Sequence, residues 1–224
     1  MDPIKDKPEK MKEFFDVRAD DYDNHMAEYV DDYQGFYSSI AKDINATDNQ
    51  IKILDLGCGT GLELEYIFKK APNALMTGID LSQEMLDLLV EKYKHKKGQI
   101  NVIKGSYLDL DLQIRKYDYI ISVMSLHHFL PGIKLGLYKK IQAALKPEGR
   151  YIEGDYLVSE KKEAEMLSDY KEELEKNKIL KNELFHLDIP FSTKTEKELF
   201  NQAGFSDFKL IFKGNESGVY SVMK

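Results

Sequence analysis

Ile51-Lys52-Ile53-Leu54-Asp55-Leu56-Gly57-Cys58-Gly59-Thr60-Gly61 is the stretch on which the reading of this chain turns. Its first half is a short apolar run, the pattern of a strand buried on both faces of a parallel sheet. Its second half places glycine at 57, 59 and 61, and Leu62 to Lys70 follows as a predicted helix that stops before Pro72. Glycine at a strand-to-helix turn lets the backbone bend sharply and lets a ligand approach with no Cβ in the way. The helix beyond it opens with free N–H groups. A dinucleotide fingerprint reads G-x-G-x-x-G. Here Leu62 stands where that fingerprint has its third glycine, so the loop departs from the nicotinamide pattern.

Working outward, Leu75 to Asp80 reads as a second strand, ending in an acid about 20 residues beyond the last glycine, where a carboxylate can accept bonds from ribose hydroxyls. The competing reading of Asp80 is a charge at the start of the helix capped by Ser82. That helix carries Met85, Leu86, Leu89, Val90 and Tyr93, and Gly98 ends it. Ile100–Lys104, Tyr117–Met124 and Arg150–Asp155 continue as strands, with a helix from Ile133 to Leu145 between the last two. Alternating strands and helices over 51–155 predict a doubly wound parallel sheet. Residues 158–182 predict a surface helix. Thr193 to Ala203 predicts another, with Thr193 and Glu196 spaced as a capping box. Phe205–Phe212 and Val219–Met223 predict a final antiparallel hairpin across the turn at 214–218. Upstream, the apolar spacing of Met26, Tyr29, Val30, Tyr33, Phe36, Tyr37 and Ile40 predicts one helix over about 24–44.

The bulk numbers exclude several classes. The chain has 224 residues, 42% of them hydrophobic and 32% charged, which suits one large globular domain. Cys58 is the single cysteine, so no internal disulfide framework exists and a reducing compartment is expected. No apolar run approaches the roughly 18 residues of a membrane span, and the polar start lacks a signal-peptide core. A cytoplasmic location is the expectation. The net charge of −7 gives no general attraction to phosphate backbones, which disfavours nucleic acid. Lys92, Lys94, Lys96 and Lys97 form a small basic cluster, read as charge at a helix C-terminus.

At this point the residues resemble a family. Asp55-Leu56-Gly57-Cys58-Gly59-Thr60-Gly61 resembles motif I of the class I S-adenosylmethionine-dependent methyltransferases, and Gly78-Ile79-Asp80-Leu81-Ser82 resembles the motif that follows. Gly105 to Leu110, Ser125-Leu126-His127-His128-Phe129, Leu145 to Arg150 and Ala203-Gly204-Phe205 resemble the later segments. Phe14-Phe15-Asp16, Ala19 and Tyr22-Asp23 are similar to the N-terminal lid of the ubiquinone/menaquinone-biosynthesis-type branch. The resemblance implies a Rossmann-like, seven-stranded, mostly parallel sheet with an antiparallel last strand and an N-terminal helical lid. It implies residues 1–48 as that lid, 49–224 as the methyltransferase domain, and 156–192 as an inserted roof.

It also implies a cofactor, S-adenosyl-L-methionine, and roles toward it. The backbone of Gly57, Cys58, Gly59 and Gly61 would pass under the methionine part, and Asp55 would orient the amino group. Asp80 would hold the ribose, Leu81 would cover the adenine, and Tyr107 backbone would meet the adenine edge. Ser106 stands where many relatives carry an aspartate, with Asp109 as the substitute acceptor. Met124, at the end of the fourth strand, joins the cofactor set. Arg18 would pair with the carboxylate, against a solvated surface charge as the plainer reading. His127 and His128 follow the fourth strand at the ligand-binding edge; they act on the acceptor or merely shape the loop. Tyr22 covers the cofactor or packs the N-terminal helix. Asp155, Tyr156, Phe185, His186 and Phe191 are placed to face the acceptor or to fasten the roof. Cys58 reads as a small residue and not a nucleophile. No metal site is expected, because His186 and Asp188 lie near in number without a closely spaced ligand set.

The expected function is methyl transfer to a small molecule by a monomer or homodimer. The alternatives are a catalytically inactive cofactor-binding module, an RNA or protein methyltransferase and, more distantly, an NAD-dependent dehydrogenase.

Overall fold

A computed structural model describes residues 9–177 and 186–224. Three helices open it: α1 (Met11–Arg18), α2 (Tyr22–Tyr29) and α3 (Tyr33–Ile40). Then come β1 (Lys52–Leu56), α4 (Leu64–Lys70), β2 (Leu75–Asp80), α5 (Gln83–Lys92), β3 (Ile100–Lys104), β4 (Tyr117–Val123), α6 (Pro131–Ala144) and β5 (Leu145–Tyr156). The chain ends with α7 (Glu160–Asn177), α8 (Thr193–Ala203), β6 (Ser206–Lys213) and β7 (Ser217–Met223). The seven strands form one sheet in the order β3-β2-β1-β4-β5-β7-β6. β7 runs antiparallel to both its neighbours, and the other pairings are parallel. No helix among the described residues is long and apolar enough to cross a membrane.

The order reverses at β1 and β4, so the carboxyl ends of these central strands open a crevice. Successive strand residues point to opposite faces, and the core divides accordingly. Ile53 and Ile121 pack with α3, α4 and α5 on one side, while Leu54 and Ile120 pack with α6 and α8 on the other.

Several boundaries differ from the sequence expectation. The helix predicted over 24–44 is broken in two. Asp32 adopts a left-handed φ of 45° between α2 and α3, and its carboxylate accepts from Gly35 N at 3.2 Å. An aspartate that bonds its own backbone competes with helix continuation. α3 buries Phe36, Tyr37 and Ile40 in the main core. β5 begins at Leu145, so Pro147 lies within it, near the register shift between Tyr117 and Tyr119. α5 ends at Lys92 and a short 3-10 turn (Lys94–Lys96) precedes Gly98. The surface helix predicted for 158–182 runs as α7, and its last residues lie outside the described ones.

The capping box at Thr193 is a second correction. The cap is Ser192, whose Oγ accepts from Thr195 N at 3.3 Å. Glu196 turns inward instead. Buried Lys134 of α6 reaches Glu153 of β5 at 2.8 Å and pairs with Glu196 of α8. The Tyr138 hydroxyl lies between the two carboxyls, 2.6 Å from Glu153 Oε2 and 2.7 Å from Glu196 Oε2, and its single proton serves one of them at a time. Burial pushes the Glu196 carboxyl up to about 7, assisted by the Glu153 charge and opposed by Lys134. A cation buried between two acids holds three elements in one register. Its removal leaves like charges uncompensated in the interior, which costs about 3–5 kcal/mol. Lys134→Met is therefore expected to lower unfolding stability by about that amount, read from the urea midpoint. An unchanged midpoint would refute the role.

Candidate active site

The turn after β1 is built by its neighbour. Gly57 N and Cys58 N both donate to the Ile79 carbonyl, at 2.8 and 3.1 Å. Gly57, Gly59 and Gly61 take φ values of 74°, 47° and 72°, in the left-handed region that favours glycine. Asp80 completes the construction. Its Oδ2 accepts from Gly59 N and its Oδ1 from Ser82 N, each at 2.9 Å. Ser82 in turn caps α5 through Met85 N. Burial pushes the Asp80 carboxyl above the usual range, and the bonds from Ser82, Gly59 and Leu81 oppose this.

Behind the loop stands Asp55, buried in β1 with both carboxylate oxygens lacking a hydrogen-bond partner. Burial drives its pKa well up, and the Glu63 charge adds to this. Glu63 is also buried, with an unpartnered Oε1. Two adjacent buried acids, with the charge of Lys92, itself paired to Asp23, acting on Glu63, are costly unless a ligand completes them. Cys58 packs its Sγ beneath Gly78, and burial pushes its thiol well up, so it is a space-filling residue and not a reactive one.

The N-terminal helices reach this cradle. A Cβ on Gly59 would lie 3.8 Å from Tyr22 Cε1, so the Tyr22 ring covers the loop. Thr60 Oγ1 donates to Asp23, and Asp23 pairs with Lys92 at 2.6 Å. Arg18 stays on its own helix. It bonds Phe14 O at 3.0 Å, pairs with Glu9 at 3.2 Å and lies over the Phe14 ring. Of the other basic residues near α5, Lys94 pairs with Glu91 and Lys96 donates to the Pro72 carbonyl.

After β3, Ser106 Oγ accepts from Leu108 N at 3.2 Å, and Tyr107 OH meets Ser125 Oγ at 2.9 Å. Asp109 is exposed, and its charge acts on Lys140. Leu81 is half-buried beside Asp80. Met124 is buried with a left-handed φ of 49° and donates its N–H to Gly154 O at 2.8 Å. That unusual backbone turns the chain from β4 toward Ser125, His127 and His128.

His127 Nδ1 lies 2.5 Å from Asp155 Oδ1. Asp155 is fixed by bonds from Leu126 N at 3.0 Å and Tyr156 N at 2.8 Å. Burial would lower the His127 pKa, but the Asp155 charge and hydrogen bond outweigh it and raise it. Burial lowers His128, and its charged neighbour His127 adds to that. Asp188 approaches both histidines, and His186 stacks on Phe14 with ring centroids 3.5 Å apart. His186 N also donates to Glu9 O at 3.0 Å. Phe15 contacts Tyr22, His128 and His186 edge-on. The N-terminal helices and the segment before α8 therefore meet each other over the crevice. Phe191 is a core residue, bridged to Leu157. Phe185 lies outside the described residues.

The structure thus brings together Asp55, the glycine turn, Asp80 and Tyr22 on one side of the crevice, and His127, His128, Asp155 and Tyr156 on the other. Arg18 and Asp109 point to other partners. Glu63 was missed as a site residue, Ser125 was named only within the segment it shares with His127 and His128, and Asp188 was weighed with His186 and set aside for want of a closely spaced partner set. The sequence expectation of no ligand cluster weighed distance along the chain, and the fold closes that distance.

Comparison with known proteins gives concordant results. A family model described as a methyltransferase domain matches residues 53–149. The carboxy-S-adenosyl-L-methionine synthase of Campylobacter fetus subsp. fetus is 30% identical over 207 residues, covering 87% of this chain and 85% of that protein. The enzyme of the same name from Nautilia profundicola is 27% identical, covering 100% of this chain and 99% of its own length. Among solved structures, human N-acetylserotonin methyltransferase in complex with S-adenosylmethionine superposes with a TM-score of 0.65 at 19% identity. That match covers 92% of this chain but only 55% of the human one, and it speaks to fold.

A Cβ on Gly57 would collide with Ser125 Oγ, and the φ of 74° penalises any L side chain. Gly57→Ala is expected to cost about 1–3 kcal/mol from the backbone conformation alone. Thermal denaturation checks this, and a stability equal to the parent would contradict the left-handed turn at this position.

Proposed function

The chain belongs to the class I S-adenosylmethionine-dependent methyltransferases, and from that premise we propose that it methylates a small-molecule acceptor held between the glycine cradle and the segment 156–192. The observation that carries the reading is the pair of unpartnered oxygens on buried Asp55, beside Glu63 and under the left-handed glycine turn. A ligand with an ammonium and a sulfonium supplies the positive charge that these acids lack.

In this reading Asp55 orients the amino group, and the backbone of Gly57, Cys58, Gly59 and Gly61 passes beneath the methionine chain. Asp80 keeps lone-pair capacity for a ribose hydroxyl beyond what it spends on the Gly59, Ser82 and Leu81 amides. Leu81 covers the adenine, and the 106–109 turn borders the adenine edge. S-adenosylmethionine supplies a methyl group already activated on sulfur. The protein has to align the acceptor with it and keep water out. Tyr22, Phe15 and the stacked Phe14–His186 pair serve the second task as lid and roof. His127, His128 and Tyr156 face the acceptor. The engaged lysines of the α5 region and the net negative charge support a small acceptor over nucleic acid.

A second reading is favoured by the full-length likeness to proteins named carboxy-S-adenosyl-L-methionine synthases. There the same cradle would serve a reaction on the methyl group itself. Mass spectrometry after incubation with S-adenosylmethionine and a metabolite extract separates the two. We expect S-adenosylhomocysteine together with a methylated metabolite. Accumulation of a cofactor product heavier by one carboxyl unit, with no S-adenosylhomocysteine, would replace the first reading by the second.

Asp80→Ala is expected to weaken S-adenosylmethionine binding about 10- to 100-fold, the value of about one charge-assisted bond to a hydroxyl. Because burial raises the Asp80 pKa, the acceptor form is lost as pH falls, earlier than for an exposed aspartate. Affinity should therefore decline on acidification from above the ordinary carboxylate range. Calorimetry across pH checks both points, and an affinity indifferent to the substitution would remove Asp80 from the site.

A further inference from the structure

Four side chains outside the glycine cradle converge on one point. His127 and His128 come from the turn after β4, and His186 and Asp188 come from the segment before α8. Asp188 Oδ1 lies 3.6 Å from His127 Nε2, 3.3 Å from His128 Nδ1 and 3.9 Å from His186 Nε2. Despite this crowding, Asp188 Oδ1 is buried with no hydrogen-bond partner, and so is His128 Nε2. His128 is 5% exposed and His127 6%.

Hydrogen bonding fixes the sense of His127. Its Nδ1 is committed to Asp155 at 2.5 Å, which leaves Nε2 as the nitrogen able to ligate an ion in place of a proton. Nε2 faces a carboxylate oxygen 3.6 Å away, and the two attract only through something positive between them, a proton or an ion. Ligands each about 2.1 Å from one tetrahedral ion stand about 3.4 Å apart. The first two separations to Asp188 straddle that length. One ring nitrogen each of His127 and His128 and one carboxylate oxygen of Asp188 all fall within 4.8 Å of one another. His128 Nδ1 also lies 3.3 Å from the Leu187 carbonyl, so binding an ion through this nitrogen gives up that hydrogen bond and moves the ring proton to Nε2.

We propose that His127, His128 and Asp188 bind one divalent transition-metal ion of the zinc type on the acceptor side of the crevice. Two imidazoles and a carboxylate suit borderline ions such as Zn²⁺ or Co²⁺ better than Mg²⁺ or Ca²⁺, which favour all-oxygen shells. Asp155 is the positioning residue. It holds the far nitrogen of His127 and is itself held by two backbone amides, the carboxylate–histidine arrangement that orients metal ligands. Phe14, Phe15 and Tyr156 wall the cluster with aromatic rings and limit water. Three protein ligands leave a coordination position open, bordered by His186, as in ion sites that take up a reactant. The location beside an acceptor rests on the function proposed above; the binding of the ion does not.

The test uses the full chain stripped with a chelator and titrated with Co²⁺ alone. We expect one ion per chain and the visible absorption of Co²⁺ in a low-coordinate nitrogen–oxygen site. Asp188→Asn and His128→Ala should each weaken binding at least about tenfold, and Asp155→Asn about 10- to 100-fold. S-adenosylmethionine affinity, measured on the same samples, should stay close to the parent's and so report an intact fold. Failure of the parent chain to take up Co²⁺ or Zn²⁺ stoichiometrically overturns the proposal. So does uptake that is the same in Asp188→Asn and His128→Ala as in the parent. Ion uptake without S-adenosylmethionine binding would sink the cofactor roles and leave the ion site standing.

Discussion

The carboxylate of Asp80 ties the end of β2 to the turn after β1, and the crevice takes its shape from that tie. One oxygen holds Gly59 N and the other holds Ser82 N. Together with the Ile79 carbonyl, which takes Gly57 N and Cys58 N, it converts the parallel pairing of β1 and β2 into a fixed loop. The sequence left two readings of Asp80, a ribose acceptor or a charge at a helix start. The geometry makes them compatible. A carboxylate has about four lone-pair sites, more than the loop and the helix occupy. The cost is burial of a charge, visible in the raised pKa.

The same economy runs along β5. Tyr151, Glu153 and Asp155 alternate with Ile152 and Gly154, so the three polar groups share one face of a central strand. Tyr151 donates to Glu153 at 2.9 Å, and Lys134, Tyr138 and Glu196 complete that end. Asp155, two residues on, points at the His127 ring. The network of Lys134 therefore fixes more than α6 and α8. It sets the register of the strand whose tip orients a site histidine, and a half-satisfied network there would be felt in the crevice.

How much of this was legible follows from the range of the interactions. The five parallel strands were readable because each is a local apolar run bounded by turn residues, and the glycine loop because its demands fall on adjacent positions. Ser82 as a cap was readable for the same reason. The break at Asp32 was not, since a left-handed aspartate leaves the apolar spacing of 26–40 intact. The capping box at Thr193 misled because Glu196 has a stronger partner in Lys134, some sixty positions away in the chain. Arg18, expected at a cofactor carboxylate because its fork matches one, is engaged with Phe14 and Glu9, and its spacing in the sequence signals neither contact.

The ligand-like cluster was the least legible feature, and its physics explains why. Its members come from 127–128 and 186–188, so no spacing rule joins them, and Asp188 gains meaning only when the segment before α8 folds back over β4. Ile189 N bonded to the His127 carbonyl performs that folding. The result divides the crevice into two acid-bearing halves, Asp55 with Glu63 on one side and Asp155 with Asp188 on the other. Each half buries oxygens that the protein leaves without a hydrogen bond, and each needs positive charge to be at ease. In the proposed reading a sulfonium and an ammonium meet that need on the first side, where methyl transfer would then discharge the sulfur. The second half keeps its demand throughout the reaction, which is the electrostatic reason to place a resident ion there and the mobile charge opposite.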